Sequence, residues 1–170
     1  PRLPAGAPPA LCGLTSVHGA GVGSRTLAAY KTLREGGRVP VRVNVMLAAT
    51  DQFYTGRLAE GHCRYTDDTL TINRVKIAAD GALGSRGAAM IDDYSDMAGH
   101  RGLILHSEER IHYFMRAAMN AGFQVNTHAI GDAANKLVLD SYELLITETG
   151  SRDKRHRVEH AQILRYEDIV

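Results

Sequence analysis

Phe123-Gln124-Val125-Asn126-Thr127-His128 is a strand-like run that ends in an imidazole. Two other runs share its form. Arg74-Val75-Lys76-Ile77-Ala78 carries a lysine among apolar residues, and Arg157-Val158-Glu159-His160 ends in a second histidine. Segments of helical period separate the runs. That alternation predicts parallel strands joined by right-handed crossovers, with their C-terminal ends on one face. In α/β barrels that face carries the chemistry. Three potential ligands at three strand ends are dispersed in sequence, and the crossovers would bring them together.

The bulk composition sets bounds. The chain has 170 residues, enough for one domain with a core, with 44% hydrophobic and 23% charged residues. A formal net charge of +1 gives no general attraction to nucleic acid or an anionic membrane, so neither is expected as a partner. No apolar run is long enough to cross a bilayer. Cys12 and Cys63 are too few for a disulfide framework or a cysteine-rich zinc site, and a cytoplasmic setting is expected. Residues 1–13 are rich in Pro, Ala and Gly and are read as irregular.

Leu14 to His18 reads as a short strand, and Gly19-Ala20-Gly21-Val22-Gly23 as a tight connection to a helix that Ser24 caps and Gly36 stops. Val41 to Leu47 alternates as a strand, a short helix is expected over 51–60, and Thr69 to Ala79 holds the strand with Lys76. Residues 80–102 have neither period, and their Gly, Ser, Arg and Asp content suits a lid or a substrate-contact loop. Ser107 caps a helix whose stripe is Ile111, Phe114, Met115, Ala118 and Met119, and Gly122 ends it. A helix from Ala133 to about Thr147 buries Ala134, Leu137, Val138, Tyr142 and Leu145. A last helix is expected from about Arg165. The fold class is α/β.

The chemistry admits two readings at each position. His128 and His160 suit a catalytic zinc, which draws ligands from separated segments, but each would also serve as an ordinary hydrogen-bonded histidine. His18 ends a strand and is expected near the site. His62, His100, His106, His112 and His156 read as surface residues. Lys76, in a run buried on both faces, must pair its charge, reach the strand end or lose the proton. As a neutral amine it can take up carbon dioxide and become an anionic carbamate ligand; paired with Asp80 it would be structural. Asp80 and Asp132 can orient ligands or act as turn and cap residues. Glu159, one residue before His160, is expected to face the helices. Arg86 can bind a substrate carboxylate or carbonyl, or be a solvated loop residue. Gly19 to Ser24 also stands where a nucleotide phosphate would meet a helix, but it lacks the dinucleotide pattern.

Four motifs carry a resemblance: Gly13-Leu14-Thr15-Ser16-Val17-His18; Val75-Lys76-Ile77-Ala78-Ala79-Asp80-Gly81-Ala82-Leu83-Gly84-Ser85-Arg86-Gly87-Ala88-Ala89; Thr127-His128-Ala129-Ile130-Gly131-Asp132; and Arg157-Val158-Glu159-His160-Ala161-Gln162. In this order they resemble the amidohydrolase superfamily, best the branch called amidohydrolase family 3, which includes N-substituted formamide deformylases. The resemblance implies a partial (β/α)8 TIM barrel covering about strands two to six. It implies Lys76 as a carbamylated fourth-strand ligand, with His128 and His160 as fifth- and sixth-strand ligands. These would hold one or two divalent ions, zinc by expectation. His18, Asp80, Arg86 and Asp132 would contact substrate or support the ligands.

The implied reaction is hydrolysis of a non-peptide C–N bond in a small amide, formamide or cyclic amide by a metal-activated water. The first-strand His-x-His pair and the eighth-strand aspartate of the pattern are absent, so the chain is expected to be an internal fragment of one barrel domain. Such a piece would self-associate or pair with the remainder of its barrel. The alternative function is a non-catalytic binding or assembly module built on the same scaffold.

Overall fold

The structure is a computed structural model that describes residues 10–169. The stretch 1–13, read as irregular, lies mostly outside them. Two compact bodies divide between Val75 and Lys76.

The first body contains strands β1 (Ser16–Val22) and β2 (Arg42–Ala48), helices α1 (Ser24–Glu35) and α2 (Tyr54–Ala59), the two-residue strand β3 (Cys63–Arg64) and most of β4 (Leu70–Ala78). β1 and β2 are parallel, with His18 opposite Asn44 and Gly19 opposite Val45. β3 pairs antiparallel to β4, Cys63 opposite Ile72. The expected connection at Gly19 to Gly23 is instead strand as far as Val22. Gly19 lies in the ladder, Gly23 falls beyond the strand, and the register slips between Ala20 and Val22, where Gly21 takes φ 75°. His18 is therefore mid-strand and exposed, not terminal.

Gly23, not Ser24, is the residue before α1, and the cap comes from elsewhere. Asp51, 27 residues on, accepts from Ser24 N at 2.8 Å and from Ser24 Oγ at 3.0 Å. Those bonds hold the Asp51 carboxyl below its usual range, the Ser24 backbone contributing most and the Phe53 backbone next. A carboxylate thus covers the helix N-terminus that a phosphate would need, which removes the nucleotide reading.

β4 sets the face on which Lys76 lies. Leu70 and Ile72 are buried, and so are Val75, Ile77 and Ala79. The alternation therefore slips by one residue at Asn73–Arg74. Beyond the slip Lys76 and Ala78 occupy the other face and are half-buried, so the strand is not covered on both sides.

The second body holds the end of β4, helices α3 (Glu108–Asn120) and α4 (Asp132–Thr149), and parallel strands β5 (Gln124–Ala129) and β6 (Arg157–His160). Ser107 Oγ caps α3 by accepting from Arg110 N, and the predicted stripe of α3 is buried in full. On α4 the buried face includes two polar residues, Asn135 and Ser141, while Leu137 is half-buried. The expected last helix is, among the described residues, a 3-10 turn at Tyr166–Asp168.

Residues 80–106 are not a free lid. Leu105 N donates to Ala79 O at 2.8 Å, and Met90 N to Arg101 O at 2.8 Å. Ile91 N donates to Asp132 Oδ1 at 2.8 Å. A Cβ at Gly131 would lie 1.9 Å from Ala89 O, and one at Gly102 would lie 1.9 Å from Ala88 O. Glycine at 131 lets this loop press against the end of β5, and glycine at 102 lets the loop pack on its own backbone.

Candidate functional site

Asp80 organises the end of β4. Its side chain is 0% exposed, and its carboxylate accepts from Ala89 N (3.0 Å), Ile130 N (3.0 Å) and Gly131 N (2.8 Å). One carboxylate thus ties the loop after β4 to the loop after β5. Asp80 Oδ1 also lies 3.3 Å from His128 Nε2, and Gly81 O is 3.3 Å from the same nitrogen. Both neighbours are acceptors, so Nε2 is the ring atom suited to donate there.

His160 meets His128 by an unusual route. In the β5–β6 ladder His128 stands opposite Glu159, and Ala129 opposite His160. A straight strand would send His160 to the face of Ala129 and Thr127, where Thr127 Oγ1 meets the Tyr142 hydroxyl of α4 at 2.8 Å. Instead His160 has φ 80° and Ala161 φ 44°. The two rings lie 4.6 Å apart between centroids, edge to face at 71°. Glu159 takes the face expected for His160, where it pairs with Arg157, contrary to its expected place among the helices.

Lys76, Ala78 and Asp80 alternate onto one side of β4, and the Asp80 carboxylate marks that side as the one with His128. Burial pulls the Lys76 amine below its ordinary value; the Glu159 charge opposes this and Arg157 reinforces it. His160 is likewise lowered, first by burial and then by the His128 and Lys76 charges. Lys76, His128 and His160 thus belong to one electrostatic neighbourhood.

No three His, Cys, Asp or Glu side chains form a ready ligand cluster among the described residues. The two imidazoles alone are an incomplete ligand set for a divalent ion.

The remaining candidates fall into place differently. Asp132 is the first residue of α4, and its Oδ1 accepts from Ile91 N and from Ala133 N (2.9 Å), so it anchors the loop. Arg86, in left-handed backbone (φ 54°), makes a two-pronged pair with Asp96, with Nη2 to Oδ2 at 2.8 Å. His18 belongs to the first body.

Three histidines read as surface residues are built into the structure. His156 Nδ1 accepts from Val125 N at 3.0 Å while the ring stacks on Tyr142. His112 bonds Ser141 Oγ at 3.0 Å, and His100 bonds Arg86 O at 2.8 Å.

Residues 6–170 match the model of the amidohydrolase family. The chain belongs to that family.

Three comparisons set its scale. The chain is 43% identical over 95 residues to "Protein LONG AFTER FAR-RED 3" of Arabidopsis thaliana, covering 56% of this chain and 16% of that protein. It is 31% identical over 140 residues to "Putative amidohydrolase YtcJ" of Bacillus subtilis, covering 81% and 25%. A crystal structure of an uncharacterized metal-dependent hydrolase from Pyrococcus horikoshii superposes with TM-score 0.82 at 27% identity, covering 95% of this chain and 32% of that one. The chain thus spans about a third or less of the relatives it matches, and its fold is a partial (β/α)8 barrel.

Asn135 escaped the sequence reading. It lies on the buried stripe of α4, where a polar residue among Ala134, Val138 and Tyr142 was the available signal.

Proposed function

We propose that this amidohydrolase-family protein hydrolyses a C–N bond other than a peptide bond in a small amide, formamide or cyclic amide. Lys76, His128 and His160 would hold the divalent metal, zinc by donor type. The support is the family membership, the metal-dependent hydrolase named among its structural neighbours, and above all the two facing rings beside Asp80. Bound there, the metal would polarise a carbonyl and acidify a water.

The chain's own residues do the rest. Asp80 fixes the His128 tautomer and ring. Half-burial raises the neutral fraction of the Lys76 amine. That nitrogen adds to the carbon of carbon dioxide and releases a proton to solvent, and the resulting carbamate offers anionic oxygens.

The test is a substrate panel with the zinc- and bicarbonate-treated protein. N-formyl amines, linear amides and cyclic amides are compared with carboxylic and phosphate esters. Amine release or ring opening is expected, and it should vanish in Lys76→Ala and after chelation. Turnover of esters alone would overturn the C–N assignment. Amide turnover that survives both treatments would overturn the metal assignment.

A further inference from the structure

We infer that the left-handed His160–Ala161 turn, clamped by the buried carboxamide of Asn135, is the device that positions the His160 ring beside His128. The inference rests on the metal reading above and concerns residues that reading does not use.

Pairing alone would place His160 on the Ala129 side of the sheet. The ring reaches His128 because two successive non-glycine residues adopt positive φ, 80° and 44°. Such backbone is disfavoured for L residues and persists only where its surroundings over-determine it.

The surroundings here are specific. Ala161 N donates to Ala129 O at 3.0 Å, and Ile163 N to Ile130 O at 2.9 Å. Asn135 Nδ2 lies 2.9 Å from Gly131 O, 3.1 Å from Ile163 O, 3.3 Å from Ile130 O and 3.4 Å from Ala129 O. One amide group therefore grips the exit of β5, just after His128, and the exit of β6, just after His160. Asn135 is fully buried, and its Oδ1 has no hydrogen-bond partner. An apolar residue would avoid that cost but would leave the two exits held by those two backbone bonds alone. Asn135 and Ala161 are positioning residues: they act on the metal through His160.

Ala161→Val disfavours the turn, because a β-branched residue resists left-handed φ, whereas Ala161→Gly keeps it without strain. The full-length protein is assayed for zinc affinity by competition with a chromophoric chelator, for its cobalt spectrum, and for metal-free thermal unfolding. For Ala161→Gly, the control, we expect an unchanged or raised metal-free Tm with zinc affinity near the parent's; for Ala161→Val we expect zinc affinity weakened about tenfold or more. For Asn135→Ala we expect a lowered Tm and a similar loss of affinity. In Ala161→Val and Asn135→Ala the cobalt spectrum should shift.

Zinc affinity within about twofold of the parent in Ala161→Val, or weakened in Ala161→Gly, overturns the inference. Either result decides the matter even if Asn135→Ala does not fold. Weakened binding in Ala161→Val but not in a folded Asn135→Ala retains the turn and overturns the clamp. A parent protein that binds no zinc sinks the metal reading itself and this inference with it, which sets that failure apart from the others.

Discussion

Removing the Asp80 carboxylate should destabilise the protein more than loss of an ordinary ion pair. In Asp80→Ala the N–H groups of Ala89, Ile130 and Gly131 lose their acceptor in a site where the side chain is 0% exposed. A buried donor left without a partner costs about 1–3 kcal/mol. Since the three share one carboxylate, their losses do not simply add, and about 3–5 kcal/mol is expected for the set. That is a large share of the roughly 5–15 kcal/mol that holds a typical domain together. Asp80→Asn keeps one acceptor oxygen and should lose less. Equilibrium unfolding in urea measures both variants, and the midpoint should fall with little change in slope. The His128 ring also loses a neighbour at Nε2, so zinc affinity should fall by about 10–100-fold. A loss under about 1 kcal/mol in Asp80→Ala would refute the reasoning, because it would mean that water or rearrangement satisfies those groups.

Other outcomes follow from the same structure. Gly131 has φ −76°, which any residue adopts, so Gly131→Ala isolates the steric clash with Ala89 O; a loss of about 1–3 kcal/mol or more is expected by thermal unfolding. Asp51→Ala should cost about 0.5–2 kcal/mol as a lost helix cap. The folded Asp51 carboxyl is lowered, so its contribution is complete above the ordinary carboxylate value and is lost as pH falls through the folded one. Parent and Asp51→Ala stabilities should therefore converge as pH drops below about 4. His156 is lowered by burial, with the Lys154 charge adding to this and the Ser151 backbone opposing it. Its neutral ring favours the fold above the unfolded value of about 6.5, and that contribution is lost as pH falls through the lower folded value. His156→Asn should flatten the acid limb of a stability–pH curve, and an unchanged limb would show that other groups govern it.

Periodicity revealed what periodicity controls. The strands at 70–78, 124–129 and 157–160 and the α3 stripe each place one residue type on one face, so the pattern survives in the sequence. What it hid was set by contacts between distant residues. Gly19 to Gly23 looks like a turn by composition, yet β2 supplies a partner along β1 and makes it a strand. β3 has only two residues, too few to show a period. The α1 cap comes from Asp51, and nothing near Ser24 announces it.

At the site, Lys76, His128 and His160 were legible as strand-end residues, whereas the side on which His160 and Glu159 fall was not. That exchange depends on two positive φ angles, and no residue there is the glycine that usually marks them. The role of Asp80 was half legible: its place after β4 was clear, but its backbone partners 9, 50 and 51 residues away were not.

The slipped alternation at Asn73–Arg74 also constrains how homologous genes can drift in length. Losing Asn73 or Arg74 would restore strict alternation and leave Lys76 on its present face, whereas one codon gained between Val75 and Lys76 would swap the amine with an aliphatic neighbour. Single losses at Asn73–Arg74 should therefore survive and single gains after Val75 should not, while the hairpin preceding Leu70 should accept both.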